Sequence, residues 1–286
     1  MPRLSLLPAA LLVACAHAVP GPAPAPDSTL KAIKERKAMV VGYLKDAYPL
    51  SYEGPNGPDG YSIDLCRRIG DEAGRAVGIE KLELRFVPVT LENRIDAVAS
   101  GKVDIECSTS TATLSRMEKV DFTNLIFVDG GGLVVKKSTF IRNVAELADE
   151  SVAVVPGTTT EKALRAALSQ GNIRARVVEV PDHASGIAAV KDGKVSAYAS
   201  DRIILVGQLI EQRDAGLGLV PMQFSIEPYG FMLRRGDADF RLVANRALSR
   251  AYRSGEIANI FQRWFGAIGK PDETLVLMYL LNATPE

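Results

Sequence analysis

Residues 104–122 read Asp-Ile-Glu-Cys-Ser-Thr-Ser-Thr-Ala-Thr-Leu-Ser-Arg-Met-Glu-Lys-Val-Asp-Phe, and the rest of the chain is organised around this stretch. The pattern predicts a buried strand over residues 103–107, a run of hydroxyls, and a helix over residues 114–120. If Thr113 caps that helix, Arg116 lies in its first turn, where partial positive charge and unpaired N–H groups disfavour a cation. The free N–H groups, the clustered hydroxyls and the guanidinium together suit the binding of a small carboxylate or phosphate. The alternative interpretation is a Ser/Thr-rich turn with a surface arginine.

The composition is that of a globular protein with balanced charge. The 286 residues are 47% hydrophobic and 24% charged, which is enough for one large or two modest domains. Lys+Arg and Asp+Glu number 34 each. Nothing in this balance favours nucleic acid or an acidic surface as the partner.

Residues 1–18 have the pattern of a secretory signal peptide. A positive start at Arg3 precedes an apolar run over residues 4–13, which is too short to span a bilayer, and small residues follow. Two processing sites compete. Leu12-Val13-Ala14-Cys15 resembles the bacterial lipoprotein cleavage box, which would leave a lipid-modified Cys15 at the new N-terminus. Ala16-His17-Ala18 fits ordinary signal peptidase, but a cysteine directly after Leu-Val-Ala favours the lipoprotein site.

Residues 19–27 alternate Pro with Ala and Gly and predict an extended, disordered tether. No later run is long and apolar enough for a transmembrane helix. The mature protein is therefore expected outside the cytoplasm, either free or tethered to the membrane. Beyond Cys15, the two remaining cysteines are Cys66 and Cys107. In an exported chain they could form a disulfide or remain two buried thiols, and the sequence leaves both open.

Short strands alternate with helices along most of the chain, which indicates the α/β class with parallel sheets. We predict strands over residues 38–44, 82–89, 103–107, 133–136, 152–155, 176–180, 195–199 and 229–233. We predict helices over residues 63–78, 92–100, 114–120, 144–148, 161–169, 184–191, 202–213 and 239–266, the last of them broken near Ser254-Gly255.

A weak internal repeat points to two lobes. Residues 94–103 resemble residues 186–195, and each copy reads as a helix, a Gly-Lys turn and a strand that ends in polar residues. Ligands of open α/β sheets gather at the C-terminal ends of the strands. Two such lobes facing one another would form a cleft lined by both polar clusters.

Three residues of the second half are candidates for that cleft: Thr158, Thr159 and Asp201. Thr158 and Glu161 match a capping box, which by itself explains both residues, and Thr159 would then offer its hydroxyl and N–H at the start of the helix. Asp201 ends a strand before residues 202–213, so it is either the N-cap of that helix or a carboxylate that faces an ammonium group.

Arg94, like Arg116, is predicted in a first helical turn, and two arginines in the same unfavourable position suggest that an anion compensates them. His183 could donate to such an anion or lie in a loop. Catalytic alternatives are thin, because the only histidines are His17 and His183 and no nucleophile-elbow sequence accompanies them. No metal-ligand spacing and no phosphate-binding glycine motif is found, so no metal and no cofactor is expected.

Taken together, these segments resemble one family. The segments are Gly60-Tyr61-Ser62-Ile63-Asp64-Leu65, Asn93-Arg94-Ile95, Asp104-Ile105-Glu106-Cys107 with Thr109, Thr111 and Arg116, Asp121-Phe122-Thr123, Gly157-Thr158-Thr159, Asp182-His183, Ser200-Asp201, Tyr229-Gly230 and Trp264-Phe265. The chain is similar, from about Ser28 to its C-terminus, to the periplasmic amino-acid-binding proteins of ABC importers (solute-binding protein family 3). The glutamate/aspartate-binding branch is the nearest part of that family.

The resemblance implies a two-lobed periplasmic-binding-protein fold of type II with two hinge crossings. Residues 28–127 and 229–286 would form lobe 1, and residues 128–228 would form lobe 2. Closure on one amino acid implies a monomeric binding protein in the periplasm that delivers its ligand to an ABC permease.

The resemblance also assigns roles to the candidate residues. Arg116 would hold the α-carboxylate of the ligand, Asp201 the α-ammonium, and Arg94 and His183 an acidic side chain. Neighbouring hydroxyls complete the expected ligand-binding set: Thr109, Ser110, Thr111, Thr158 and Thr159. A zwitterion suits such a site because each buried charge then has a partner.

One position departs from the glutamate/aspartate branch. Where that branch places an arginine after the first strand, this chain has Leu44, followed by Lys45. One partner of an acidic ligand side chain is thereby lost, so the resemblance leaves the identity of the amino acid open. The alternative function is an exported cyclohexadienyl or arogenate dehydratase on the same scaffold, with a carboxylate, a lysine or His183 as acid/base. Asp201 as a partner for an ammonium group favours a binding protein over an enzyme.

Overall fold

The computed structural model describes residues 28–213 and 215–285. The predicted signal peptide (1–18), both candidate cleavage sites with Cys15, and the tether (19–27) lie outside the described residues. No described helix has both the length and the apolarity that a membrane crossing needs.

Helices account for much of the described chain. They are α1 (Thr29–Arg36), α2 (Tyr61–Val77), α3 (Arg94–Ala99), α4 (Leu114–Met117), α5 (Thr159–Gln170), α6 (His183–Lys191), α7 (Arg202–Gln212), α8 (Ala238–Arg253), α9 (Glu256–Phe265) and α10 (Glu273–Leu281), with one 3-10 helix at Val144–Leu147.

The strands are short, as the sequence predicts. They are β1 (Ala38–Tyr43), β2 (Asp46–Ala47), β3 (Ser51–Gly54), β4 (Gly57–Asp59), β5 (Glu83–Pro88), β6 (Ile105–Glu106), β7 (Val120–Phe122), β8 (Phe127–Asp129), β9 (Gly131–Lys136), β10 (Ser151–Val154), β11 (Arg176–Glu179), β12 (Ala197–Asp201), β13 (Leu217–Leu219), β14 (Glu227–Tyr229) and β15 (Met232–Arg234).

Two five-stranded mixed sheets form the centres of two α/β lobes. The first has the order β5-β1-β6-β15-β7, with β5, β1 and β6 parallel and β15 antiparallel to both of its neighbours. The second has the order β11-β10-β12-β9-β13, with β11, β10 and β12 parallel and β9 antiparallel to β12 and β13. The C-terminal ends of β6 and β12 therefore carry the polar segments that the sequence analysis selected.

Each lobe buries its own core. In the second sheet the period of two places Val152 and Val154 in a cluster with Leu164 of α5, whereas Ala153 packs on the opposite face with Ile187 of α6. Both faces of that sheet are thus covered by helices, as its apolar strands require.

The two lobes are joined by a separate two-stranded ribbon. β8 leads into the second sheet and β14 leads out of it, and the two pair antiparallel with Asp129 opposite Glu227. Thr111 also forms an isolated bridge with Tyr229 of β14. The lobe limits proposed from the sequence at residues 127/128 and 228/229 stay a prediction, and the ribbon lies at both of them.

The structure differs from the sequence-based elements in several places, and β7, β8 and β13 have no predicted counterpart. The predicted strand over residues 229–233 is two strands, because Tyr229 pairs with Phe127 of the ribbon whereas Met232 pairs with Glu106 of the first sheet. The helix predicted over residues 114–120 ends at Met117. α1, α10 and the small sheet β2-β3-β4 were not predicted.

A disulfide joins Cys66 of α2 to Cys107, the residue directly after β6, with 6.2 Å between the Cα atoms. The first of the two interpretations left open by the sequence is therefore confirmed. The cross-link fixes α2 against the start of the polar segment 108–111.

Candidate functional site

Arg116 is buried beneath the end of the first sheet. Thr113 Oγ1 accepts a hydrogen bond from Arg116 N at 3.3 Å, so the predicted N-cap of α4 is confirmed. Arg116 is 7% exposed, and its guanidinium donates to the carbonyl of Thr111 at 2.8 Å. Burial, followed by the neighbouring Arg94 guanidinium, lowers the pKa of Arg116 to about 10. Arg116 therefore remains a cation at neutral pH and lacks the solvation of a surface arginine.

Two buried carboxylates accompany this arginine, and the sequence analysis assigned no role to either. Glu106 is fully buried and accepts hydrogen bonds from the hydroxyls of Ser108 and Ser110. Glu227 accepts from Thr111 Oγ1 at 2.7 Å and from Ser225 Oγ at 2.6 Å. Both carboxylates raise the pKa of Arg116, against the effect of burial. Ser110 thus faces a buried carboxylate, and its direct contact with a ligand stays a prediction.

Arg94 is the first residue of α3 and is 3% exposed. Its Nη1 donates to the carbonyl of Thr109 at 3.4 Å. Among the described residues, its buried Nε has no hydrogen-bond partner. A buried guanidinium N–H without an acceptor is costly, so a ligand oxygen at this point would be strongly favoured.

The threonines at the start of α5 behave as the capping box predicts. Thr158 Oγ1 accepts from Glu161 N at 3.1 Å, and the Glu161 carboxylate reaches back to Gly157 N at 2.8 Å. Thr159 is directed to the other lobe, with its hydroxyl 3.1 Å from the hydroxyl of Thr111. The first turn of α5 therefore contacts the polar segment that follows β6.

Asp201 does not cap α7, so the interpretation of this residue as an N-cap is wrong. It occupies the N-cap position, but its side chain makes no capping hydrogen bond. Its carboxylate instead accepts from the hydroxyls of Thr160 and Tyr229. The Ile203 N–H at the start of α7 donates to Asp129 Oδ2 at 2.9 Å. Asp129 in the ribbon thus replaces Asp201 as the cap and leaves Asp201 directed toward the space between the lobes.

Asp129 has an unusual environment for a carboxylate. Burial raises its pKa to about 7, with the charge of Asp201 as the second cause, although hydrogen bonds from Ile203 N, Gly130 N and Tyr229 oppose the shift. On folding, its pKa rises from the value of an unfolded aspartate, about 3.9. Its contribution to stability is therefore fully present below that unfolded value and is lost as the pH rises through about 7.

A pH-dependent stability follows from this shift. We expect the free energy of unfolding to fall between about pH 4 and about pH 7 by up to about 1.4 kcal/mol per pH unit on account of this one group. Asp129→Asn keeps the side-chain shape but has no titrating proton, so the slope should flatten. Urea unfolding at several pH values measures both proteins, with the exposed Asp239→Asn as the matched control. Equal slopes for Asp129→Asn and the wild type would contradict the shift.

His183 is the first residue of α6 and is buried. Its Nδ1 lies 2.7 Å from the hydroxyl of Tyr198 and 3.4 Å from that of Ser200. Burial lowers its pKa, so the imidazole is neutral at neutral pH. Within the described part of the chain, its buried Nε2 has no hydrogen-bond partner. In the tautomer in which Nδ1 accepts from the Tyr198 hydroxyl, Nε2 carries the proton and can donate to a ligand.

These residues meet at one small cavity between the lobes. It has a volume of about 20 Å³ and is lined by side chains from both lobes: Leu91, Arg94, Thr109, Thr158, Thr159, Thr160, His183, Ser200 and Asp201. Such a volume admits about one water molecule. An amino acid therefore fits only when the lobes separate and the contact between Thr111 and Thr159 breaks.

Most of the candidate residues from the sequence are at this cavity. Six of them line it: Arg94, Thr109, Thr158, Thr159, His183 and Asp201. Thr111 lies next to the cavity because its hydroxyl contacts that of Thr159, and Arg116 lies next to it because it donates to the Thr111 carbonyl. The Ser110 hydroxyl instead donates to Glu106. Sequence reasoning missed Thr160, Tyr229 and Asp129. In the sequence these residues are only polar side chains close to predicted strand ends and helix starts. Such a position is a weak indication of function when the hydrogen-bond partners are unknown.

The arrangement suits the binding of a small charged molecule. Two arginines provide positive charge, and Asp201 provides a carboxylate on the opposite lobe. Across residues 28–213 and 215–285, no group of three His, Cys, Asp or Glu side chains is arranged to hold a metal ion. The fold and the cleft are those of a two-lobed solute-binding protein.

Residues 39–267 match the model of a protein family described as bacterial extracellular solute-binding proteins, family 3. The L-glutamate/L-aspartate-binding protein of Pseudomonas aeruginosa is 33% identical over 242 residues, which cover 83% of this chain and 80% of that protein. The glutamate/aspartate import solute-binding protein of Escherichia coli is 30% identical over 266 residues, which cover 92% of this chain and 88% of that protein. The chain belongs to the bacterial extracellular solute-binding proteins of family 3.

Solved structures agree with this membership. An ancestral amino acid-binding protein, a precursor of cyclohexadienyl dehydratase, is 30% identical with a TM-score of 0.73, covering 83% of this chain and all (100%) of that one. A mutant of the arginine-binding protein of T. maritima is 26% identical with the same TM-score of 0.73, covering 83% of this chain and 99% of that one. The predicted periplasmic-binding-protein fold of type II is thereby confirmed.

Proposed function

We propose that this protein captures a free acidic amino acid, glutamate or aspartate, between its lobes and delivers it to the permease of an ABC importer. The observation that carries the proposal is a pair of buried donors, Arg94 Nε and His183 Nε2, on residues that line one cavity and that have no partner among the described residues. The carboxylate on a ligand side chain would supply acceptors for both.

The two ends of an amino acid have matching partners in the same cleft. Arg116 lies on lobe 1 and Asp201 on lobe 2, and the Asp201 charge is close enough to raise the pKa of Arg116. An α-carboxylate beside Arg116 and an α-ammonium beside Asp201 would give every buried charge a partner. Thr109, Thr111 and Thr159 would add hydroxyl contacts to the carboxylate.

The relatives support an acidic ligand and a binding role. The two similar proteins from Pseudomonas aeruginosa and Escherichia coli carry the names of glutamate/aspartate-binding proteins, and neither is named as an enzyme. The ancestral relative of cyclohexadienyl dehydratase is itself described as amino acid-binding. We infer that this protein is a binding protein rather than a dehydratase. We also propose that it is a monomer in the periplasm, with lipid attachment at Cys15 as one form of its N-terminus.

A titration against the common amino acids tests the proposal. We expect glutamate or aspartate to raise the melting temperature and to bind in isothermal titration, because a ligand present at about a hundredfold excess over its Kd stabilises the folded state by about 2.7 kcal/mol. The alternative function, a dehydratase, is tested by incubating the protein with arogenate and prephenate and measuring the formation of an aromatic product. The absence of any shift at millimolar concentrations of every amino acid would refute the binding role.

The acidic-ligand proposal makes a sharper prediction at Arg94. We expect Arg94→Ala to weaken glutamate by about 10- to 100-fold, since hydrogen bonds to charged groups are worth about 1.5–3 kcal/mol. The loss for glutamine should be below about tenfold, because its neutral amide oxygen lacks the attraction between a carboxylate charge and the guanidinium charge. Isothermal titration with both ligands measures the difference. Arg174→Ala, at a side chain that is 89% exposed, is the matched control. Equal losses for the two ligands would show that Arg94 does not contact an acidic side chain.

A further inference from the structure

The small cavity between the lobes lies beside a larger cleft that the proposed contacts with glutamate do not use. This outer cleft has a volume of about 980 Å³. Leu91 lines both spaces, and Gly157 and Asp182 of the outer cleft directly precede Thr158 and His183 of the inner one. The two spaces are therefore direct neighbours.

The outer cleft persists although the lobes already touch on both sides of it. On one side Thr111 and Thr159 are 3.1 Å apart. On the other side, Asp46 of lobe 1 accepts from His183 N at 3.2 Å, and its carbonyl accepts from Gln208 Nε2 at 3.0 Å. The two lobes are also in close backbone contact there, because a Cβ added at Gly207 would lie 1.9 Å from the carbonyl oxygen of Tyr48. The cleft is thus a feature of the closed arrangement.

Its walls are mainly apolar side chains contributed by both lobes. Leu91 and Ile95 of lobe 1 and Pro156 and Pro181 of lobe 2 are among its partly or fully exposed apolar residues. Leu44, Val89 and Val155 also line it, but each is at most 5% exposed. Leu44 is the position at which the sequence departs from the arginine of the glutamate/aspartate branch. The Leu44 side chain is 2% exposed and packs in the core of lobe 1, so this position supplies no cation to the cleft. The space is therefore unsuited to a side-chain carboxylate, and its exposed apolar residues suit an apolar group.

The charged side chains along the outer cleft are mostly acidic. Lys45 is the single cation, and it is 3.8 Å from Glu53. Asp46, Glu92 and Asp182 are the acidic groups. A second carboxylate in this space would meet net negative charge, whereas a neutral apolar group would not.

The outer cleft adjoins the end of the site that would hold the ligand side chain. Ile95 follows Arg94, and Asp182 precedes His183, whereas neither Arg116 nor Tyr229 is among its lining residues. A ligand held by the donors of Arg94 and His183 would therefore extend outward from its side-chain carbonyl.

We propose that the site also accepts amino acids whose side-chain carbonyl carries a neutral apolar substituent, of the class of γ-glutamyl alkyl- and arylamides. This inference rests on the proposed function. The amide oxygen accepts from Arg94 Nε and His183 Nε2, and the α-amino and α-carboxyl groups keep the contacts of glutamate. The N-substituent lies between Leu91, Ile95 and Pro156.

The test is a homologous series on the wild-type protein. The affinities of glutamine and of its derivatives with a methyl, ethyl, propyl or butyl group on the side-chain amide nitrogen are measured by displacement of glutamate. γ-Glutamylglycine, whose substituent is charged and of similar length, is measured in the same way. We expect the Kd to fall by about two- to fourfold for each added methylene, the factor that burial of an apolar methylene gives. We expect γ-glutamylglycine to bind at least about tenfold more weakly than the propylamide.

A variant tests whether the gain in affinity with chain length comes from contact with the outer cleft or from the general hydrophobicity of the ligand. Ile95→Ser should lower the ratio of butylamide affinity to glutamate affinity by about tenfold. Leu242→Ser, an apolar side chain on α8 that is 57% exposed, should leave this ratio unchanged. A series that is flat or weakens with length, while glutamate still binds, overturns the inference and leaves the proposed function intact. Failure of glutamate and of every amide to bind overturns both.

Discussion

Replacing Arg116 by alanine is expected to weaken glutamate binding by roughly two to four orders of magnitude, because removing one partner of a buried charge pair costs about 3–5 kcal/mol. Arg116 is 7% exposed, and its guanidinium is a cation at neutral pH because its pKa, although lowered by burial, is still about 10. Water cannot replace it beside an α-carboxylate. Isothermal titration of the variant gives the loss directly.

The substitution can be distinguished from damage to the fold. Arg116→Lys keeps the charge but loses the planar pair of donors, so an intermediate Kd is expected. Asp201→Asn should also weaken binding, because it removes the carboxylate proposed for the ammonium group. Arg174→Ala should leave binding unchanged, since its side chain is 89% exposed. If Arg116→Ala binds glutamate within about tenfold of the wild type and keeps its circular dichroism, Arg116 does not hold the α-carboxylate.

Features set by nearby residues could be predicted from the sequence. The cap of α4 by Thr113 and the cap of α5 by Thr158 need partners only three residues away, and both are found. The alternation of strands and helices likewise follows from local periodicity, and it gave the α/β class. Both buried arginines, at the starts of α3 and α4, also stand out locally because cations are unfavourable there.

Features set by distant residues could not be predicted in this way. Asp201 has the sequence of an N-cap, but Asp129, from a different strand, takes the N–H of Ile203. The partners of Asp201, Thr160 and Tyr229, come from α5 and β14. Which carboxylate caps the helix and which faces the cleft depends on the pairing of β8 with β14. The sequence contains no local signal for that pairing.

The helix α10 was missed for a different reason. Its residues read Glu-Thr-Leu-Val-Leu-Met-Tyr-Leu-Leu, so apolar side chains occur on all of its faces and no helical period is visible. Leu275, Met278 and Tyr279 are buried against lobe 1, whereas Leu280 and Leu281 are exposed. The cap is local, since Asp272 accepts from Leu275 N at 2.8 Å, and this was the signal available in the sequence.

Removing the cross-link between Cys66 and Cys107 is expected to lower the free energy of unfolding by about 4 kcal/mol, from the loop entropy of the unfolded chain. The two cysteines are 41 residues apart and both are fully buried in the core of lobe 1. Reduction of the wild-type protein isolates the effect, because no side chain is replaced and no cavity is created. Urea unfolding with and without dithiothreitol therefore measures the cross-link alone.

The same experiment reports on the binding site. Cys107 directly precedes Ser108, and the segment from Ser108 to Thr111 presents the carbonyls that hold Arg94 and Arg116. Loss of the cross-link should therefore weaken glutamate binding as well as stability, whereas dithiothreitol should not change the stability of the double variant Cys66→Ala/Cys107→Ala. A difference below about 1 kcal/mol between oxidised and reduced wild type would contradict the loop-entropy argument. Unchanged affinity after reduction would show that α2 does not hold this segment in place through the disulfide.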